Sequence, residues 1–176
     1  KEELEAKGYK FKSETDTETV VHLIDSYYNE GMDLLDAVFK VLDRIEGSYA
    51  LGIVCKDFPD TLIAARKDSP LVVGIGEGEN FIASDMPAIL NYTKNVYLLD
   101  DKEVAIIKAD SIEILNDKKE PVKKEVFTYN WDIEAAEKNG YDHFMLKEIY
   151  EQPKVVKDNI SSRFSDDGKS IKLDGI

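Results

Sequence analysis

The residue pattern predicts an α+β fold in which two helices precede an antiparallel run of strands. Three observations carry this. Apolar residues recur at helical spacing between Asp16 and Ile45. From Tyr49 to Phe127 the texture changes to short apolar runs rich in Val, Ile and Tyr, separated by turn residues, enough for six to eight strands. The connections are too short for parallel crossovers, which need a dozen or more residues, so neighbours pair antiparallel as a meander. The helices then lie on one sheet or on two stacked sheets.

In chain order, Lys1–Gly8 reads as the last turns of a helix, with Gly8 as its stop. No cap or start methionine precedes it, and the chain halts soon after the polar Ser165–Lys169 stretch, so a fragment of a longer polypeptide is expected. Tyr9–Lys12 alternates and is read as a short strand. Ser13-Glu14-Thr15-Asp16-Thr17-Glu18 then starts a helix. Thr15 and Glu18 have capping-box spacing, with the hydroxyl on a helix N–H and the glutamate reaching back. Asp16 falls at the first helical position, where a carboxylate suits the dipole. Val20, Leu23, Ile24, Tyr27 and Tyr28 form the apolar face and Gly31 ends the helix. A second helix starts near Asp33, with Leu34, Leu35, Val38, Val41, Leu42 and Ile45 on one stripe.

Tyr49–Val54 reads as a buried strand, Phe58-Pro59-Asp60 as a turn and Thr61–Arg66 as the next strand. Leu71–Ile75 and Asn80–Ala83 are joined through Gly76–Glu79. Ser84-Asp85-Met86-Pro87 caps a short helix. Val96–Leu99 is a strand, Val104–Lys108 and Ile112–Leu115 form a hairpin, and Val122–Phe127 pairs next. Asp132–Asn139 is read as a short helix. Phe144 to about Ile160 has helical spacing interrupted at Pro153.

A net charge of −13 argues against nucleic acid and anionic membranes as partners. No apolar run reaches the ~20 residues of a membrane span. The single cysteine, Cys55, excludes an internal disulfide and, with no signal peptide in view, favours a reducing cytoplasm. Two histidines and one cysteine are too few for a zinc site, and no cofactor motif is present. Gly74-x-Gly76-x-Gly78 precedes no helix and no Lys-Ser/Thr pair, so it is a hairpin turn rather than a phosphate loop. Cys55, His22 and His143 are read as structural, and Ser84-Asp85 as a cap. Asp16 stays open between a helix-start carboxylate and a ligand for a cation.

Five stretches taken together carry a resemblance. They are Ser13–Glu18, Glu46-Gly47-Ser48-Tyr49-Ala50, Ala64-Ala65-Arg66 through Ser69-Pro70-Leu71, Asn80–Asp85, and Tyr141 through His143-Phe144-Met145-Leu146-Lys147-Glu148-Ile149-Tyr150-Glu151-Gln152-Pro153. In this order they resemble the glutaminase domain of the glutamine–fructose-6-phosphate aminotransferases. The tail is the most specific piece. The resemblance implies an N-terminal-nucleophile (Ntn) fold, two antiparallel sheets between helical layers, incomplete here at the N-terminus. Residues 1–153 would be the partial glutaminase domain and 154–176 the start of a linker to a sugar isomerase domain.

The implied parent reaction hydrolyses glutamine and passes ammonia to fructose 6-phosphate, giving glucosamine 6-phosphate and glutamate. It needs no cofactor. The family's nucleophile is an N-terminal cysteine with its own α-amino group as base. Residue 1 is lysine and Cys55 lies inside a strand pattern, so no catalytic residue is expected here and this chain alone should be inactive. Asp16 matches the aspartate that binds the α-ammonium of glutamine. Implied partners are glutamine, the isomerase domain of the same polypeptide and further copies in a homo-oligomer. Two other readings stand beside this one. One is the same domain serving another acceptor, in an amidophosphoribosyltransferase or asparagine synthetase. The other is a non-catalytic acidic binding module.

Overall fold

The computed structural model describes residues 1–129, 138–161, 163–164 and 170–171. It divides into two compact units, Lys1–Tyr129 and Asn130–Ile176. The first opens with helices α1 (Glu2–Ala6), α2 (Asp16–Asn29) and α3 (Leu34–Leu42). Gly8 and Gly31 follow α1 and α2 with φ of +93°, a left-handed stop that a side chain would resist. Asp33 caps α3, its carboxylate accepting the Leu35 amide at 3.0 Å.

Eight strands follow: β1 (Tyr49–Cys55), β2 (Phe58–Lys67), β3 (Val72–Ile75), β4 (Asn80–Ala83), β5 (Asn95–Leu98), β6 (Val104–Ile107), β7 (Ile112–Leu115) and β8 (Phe127–Thr128). They form two antiparallel four-stranded sheets, β1-β2-β6-β7 and β4-β3-β5-β8. The order is not a simple meander. The chain leaves the first sheet after β2, builds β3 to β5 in the second, and returns at β6, where Leu62 faces Ile107. Asp85 caps the short 3-10 turn Met86–Ala88 by accepting the Met86 amide at 2.7 Å.

Alternation along the strands makes two cores. Ile63, Ala65, Val104 and Leu115 pack with Leu23, Ile24, Tyr27, Val38, Phe39 and Val41 of the helices. Ala64, Ala105, Ile107 and Ile114 point the other way and pack with Val73, Leu71 and Leu99. The α2–α3 layer therefore lies on one face of the first sheet and the second sheet on the other. Among the described residues, the buried members of both clusters fall between Leu4 and Leu115, and Val122 packs against the second.

Several readings are corrected. Tyr9–Lys12 is not a strand. Tyr9 and Phe11 turn onto α2, where their rings flank His22 at 4.9 and 4.8 Å, and the Lys12 amide donates to the Glu18 side chain rather than to a neighbouring strand. Phe58-Pro59-Asp60 is the start of β2, not a turn. The register jumps from Cys55↔Phe58 to Val54↔Leu62, so Pro59 faces no partner in β1 and its missing N–H costs no ladder bond. β1 is half-exposed rather than buried because it is the sheet's edge: Ala50, Gly52 and Val54 lie open while Leu51 and Ile53 are partly covered. Of the last expected strand, Val122–Phe127, only Phe127 joins a strand, β8, which pairs with β5; Val122 adds one amide bond to Ile114.

In the second unit, helix α4 (Phe144–Ser161) runs through Pro153 without the expected break. The Tyr141 and Tyr150 rings stack at 5.7 Å, and Lys138 donates to the Asp142 carbonyl at 3.0 Å. The helix expected over Asp132–Asn139 falls almost wholly on residues 130–137, outside those described.

Candidate functional site

Asp16 stands at the first position of α2, after the N-cap Thr15. A side chain of negative charge suits that end of the helix dipole. Its side chain is exposed, and Thr17 Oγ1 approaches Oδ1 at 3.5 Å. It opens into a cavity of about 350 Å³ walled by Thr17, Thr19 and Val20 of α2, Ile45, Glu46 and Ser48 of the α3–β1 connection, and Tyr49–Leu51 of β1. Two carboxylates, Asp16 and Glu46, and no lysine or arginine line it. The field therefore suits a cationic group. A second cavity of about 380 Å³ shares Thr17, Val20 and Leu51 and continues between α2 and β1 to Tyr28 and Cys55 with a mostly apolar wall. The arrangement is an acidic mouth leading into an apolar groove along an edge strand.

The expected capping box is corrected in its partners. Thr15 makes no side-chain cap bond; its hydroxyl meets Ser13 Oγ at 2.9 Å instead. Glu18 does reach back, but further than the box requires. Its Oε1 accepts the Lys12 amide at 2.7 Å, and its Oε2 accepts the Ser13 amide at 2.7 Å and the Ser13 hydroxyl at 2.5 Å. His22, one turn on, lies 3.4 Å from Oε1 through Nε2. The Ser13 hydroxyl, the Lys12 and Ser13 amides and His22 together hold the Glu18 carboxyl down at about 2, against the opposing effect of burial. Ser13, Glu18 and His22 do not form a nucleophile triad, because the carboxylate, not the imidazole, touches the hydroxyl. The capping-box spacing signalled that Glu18 reaches back, and the four-residue Glu18–His22 spacing, not weighed from sequence, is the signal that could have found His22 beside it.

The other residues weighed from sequence fall elsewhere. Cys55 is a half-buried free thiol at the end of β1. His143 precedes α4 and its carbonyl accepts the Lys147 amide at 3.2 Å. The glycine-rich run is the β3–β4 hairpin loop, with Gly78 at φ +73° and the Gly76 amide on Asn80 Oδ1 at 3.2 Å. Among the described residues no group of three or more His, Cys, Asp or Glu could hold a metal ion, and no helix is long and apolar enough to cross a membrane.

A helical pair over two antiparallel sheets, with an acidic cavity at a helix head, is the setting in which a family can be assigned. Residues 1–91, just over half of the 176, match the glutamine amidotransferase domain family. The chain belongs to that family. Among curated proteins it is 59% identical over 169 residues to the isomerizing glutamine–fructose-6-phosphate aminotransferase of Caldanaerobacter subterraneus subsp. tengcongensis, covering 96% of this chain and 27% of that protein. The enzymes of the same name from Clostridium tetani and Thermus thermophilus are 53% and 44% identical, over 100% and 98% of the chain. The chain thus spans little more than a quarter of the length of these relatives, 27% and 28%. Among solved structures, glutamine phosphoribosylpyrophosphate amidotransferase from B. subtilis superposes with a TM-score of 0.56 at 24% identity, over 66% of this chain and 25% of that one. That likeness concerns the fold alone.

Proposed function

We propose that this chain is part of the glutamine-hydrolysing domain of a glutamine–fructose-6-phosphate aminotransferase, with an Ntn-type sandwich fold. Asp16 receives the α-ammonium of glutamine. In the assignment, residues 1–153 belong to the glutaminase domain and 154–176 begin the path to a sugar isomerase domain. The observation that carries the reading is the exposed carboxylate at the head of α2, in a cavity with a second carboxylate and no basic side chain. The 59% identity to an aminotransferase of that name supports the choice of acceptor chemistry.

Asp16 has a physical reason to recognise an amino acid. An ammonium beside a carboxylate forms a charge-assisted hydrogen bond, shorter and stronger than a neutral one. It separates glutamine from simple amides, which carry no such charge. No residue of this chain is assigned as nucleophile. Cys55 ends strand β1 and has no α-amino group of its own to serve as its base. The nucleophile and its base are supplied by polypeptide outside these residues, and this chain alone is expected to be inactive.

The test uses the full-length enzyme that carries this segment. Asp16→Ala should raise KM for glutamine by about 10- to 100-fold, since losing a charged hydrogen bond costs about 1.5–3 kcal/mol. Asp16→Asn should recover little, because a neutral amide cannot balance the ammonium. Glutamine kinetics unchanged in both variants would exclude Asp16 as the ammonium ligand.

A further inference from the structure

Asp16 is held at the head of α2 by a turn that its own helix cap does not secure. Thr15 occupies the N-cap position without a side-chain bond to the helix. The preceding residues are fixed from another direction. Three donors, the Lys12 amide, the Ser13 amide and the Ser13 hydroxyl, converge on the Glu18 carboxylate. Glu18 lies two positions after Asp16, about 200° around the helix, so it faces away from Asp16. It is absent from the walls of the acidic cavity. Its side chain is only 17% exposed, under the His22 ring that Tyr9 and Phe11 flank.

We propose that Glu18 is a positioning residue for the Asp16 site, acting through the Lys12–Thr15 turn rather than on substrate. This rests on the reading of Asp16 as the ammonium ligand. Both carboxylate oxygens are engaged by the turn, so its path into α2 is fixed at two successive residues. With the turn fixed, the residue entering the helix is delivered at one angle, and Asp16 follows directly. A carboxylate that must meet an ammonium at hydrogen-bond distance gains from this, since small misplacements at a binding group are felt steeply. His22 Nε2 lies 3.4 Å from Oε1 on the next turn of the helix, without a hydrogen bond to it, and its ring covers the carboxylate. The alternative is that Glu18 only stabilises the fold. The two differ in what they do to glutamine affinity.

Two measurements separate them. In the full-length enzyme, Glu18→Ala and Glu18→Gln are compared with Asp16→Ala for kcat and KM. In the same full-length enzyme, hydrogen exchange is followed at the Lys12 and Ser13 amides. Glu18→Ala should raise KM for glutamine about tenfold with kcat nearly unchanged, as for a displaced binding group. The two amides should exchange faster. Glu18→Gln keeps one acceptor oxygen and places an amide NH₂ against the remaining donors, so it should show a smaller effect in the same direction. It also serves if the alanine variant fails to fold. Faster exchange with KM unchanged would overturn the positioning role, and so would amides that remain protected. If Asp16→Ala raises KM while the Glu18 variants do not, the ammonium reading stands and only this inference falls. If Asp16→Ala leaves KM unchanged, both fall.

Discussion

Among the described carboxylates, Glu18 has the environment that departs furthest from a solvated one. The Ser13 hydroxyl has the largest lowering effect, followed by the Lys12 amide, and together with the Ser13 amide and His22 they outweigh burial and bring the group to about 2. The Ser13 hydroxyl and the two amides favour the ionised form because each puts a donor against the negative oxygens, while His22 Nε2 approaches to 3.4 Å without a hydrogen bond. A carboxyl depressed in the folded state contributes stability that is fully present above its unfolded value of about 4.3. That contribution is lost as pH falls through the folded value, about 2. The turn at Lys12–Ser13 should therefore stay formed through pH 4 and open only in stronger acid. NMR titration of the Glu18 carboxyl carbon checks this; a midpoint near 4 would mean that the turn is not held by the charge. The sequence showed that a glutamate three residues after a threonine reaches back. It did not show how far, because the Ser13 hydroxyl and amide compete for the same oxygens and win. Asp16 was readable in position but not in surroundings, since Glu46 and Tyr49 reach its cavity only through the fold.

Among the strands, two glycines mark where neighbouring elements press closest. A Cβ on Gly74 in β3 would lie 2.9 Å from Ile89 Cδ1, 3.0 Å from Thr93 Cγ2 and 3.2 Å from Phe81 Cβ. A Cβ on Gly52 in β1 would meet Ile82 Cδ1 at 2.6 Å, with Leu62 Cδ1 an ordinary contact at 3.9 Å. Ile82 Cδ1 is the far end of a flexible side chain, next to an open edge strand, and can swing aside. Phe81 Cβ belongs to the paired strand β4 and cannot. Gly74→Ala should thus cost about 1–3 kcal/mol, typical of overpacking, and Gly52→Ala less than about 1 kcal/mol. Urea midpoints of the two variants check the order, and equal losses would show that the β1 edge is as rigid as the sheet interior. Element types were legible wherever periodicity was strong, as in α2, α3 and the β6–β7 hairpin. Pairing was less so, because β2 finds β6 across three intervening strands and nothing local encodes that. Pro59 and the Tyr9–Lys12 run were misread for the same reason: a strand is defined by its neighbour. Pro59 can sit in β2 because no partner faces it there, and Tyr9–Lys12 finds a helix instead.

At the scale of the whole molecule, both apolar clusters lie within the unit Lys1–Tyr129. The first sheet shares its strands between them. Ile63 and Ala65 serve the helical side, and Ala64, between them, serves the inter-sheet side. Loosening one face of β2 therefore disturbs the other, which couples the two clusters into one cooperative body. Even the short α1 is tied in. Leu4 is 2% exposed, Arg44 donates to Glu3 at 2.8 Å, and Lys7 reaches Glu30 at 3.0 Å. A polypeptide of residues 1–129 is accordingly expected to unfold in a single transition, with the calorimetric and van't Hoff enthalpies equal. Its heat-capacity increment should be about 1.5–1.9 kcal/mol/K, from the usual 12–15 cal/mol/K per residue. Two resolved transitions would mean that the clusters melt separately despite the shared sheet. A broad, enthalpy-poor transition with strong binding of a hydrophobic dye would mean that the two-sheet core is incomplete without polypeptide beyond these residues. The open apolar groove between α2 and the unpaired edge of β1 is where that missing contact would then be sought, and a Val54→Lys variant, at a side chain 78% exposed, should leave the single transition in place.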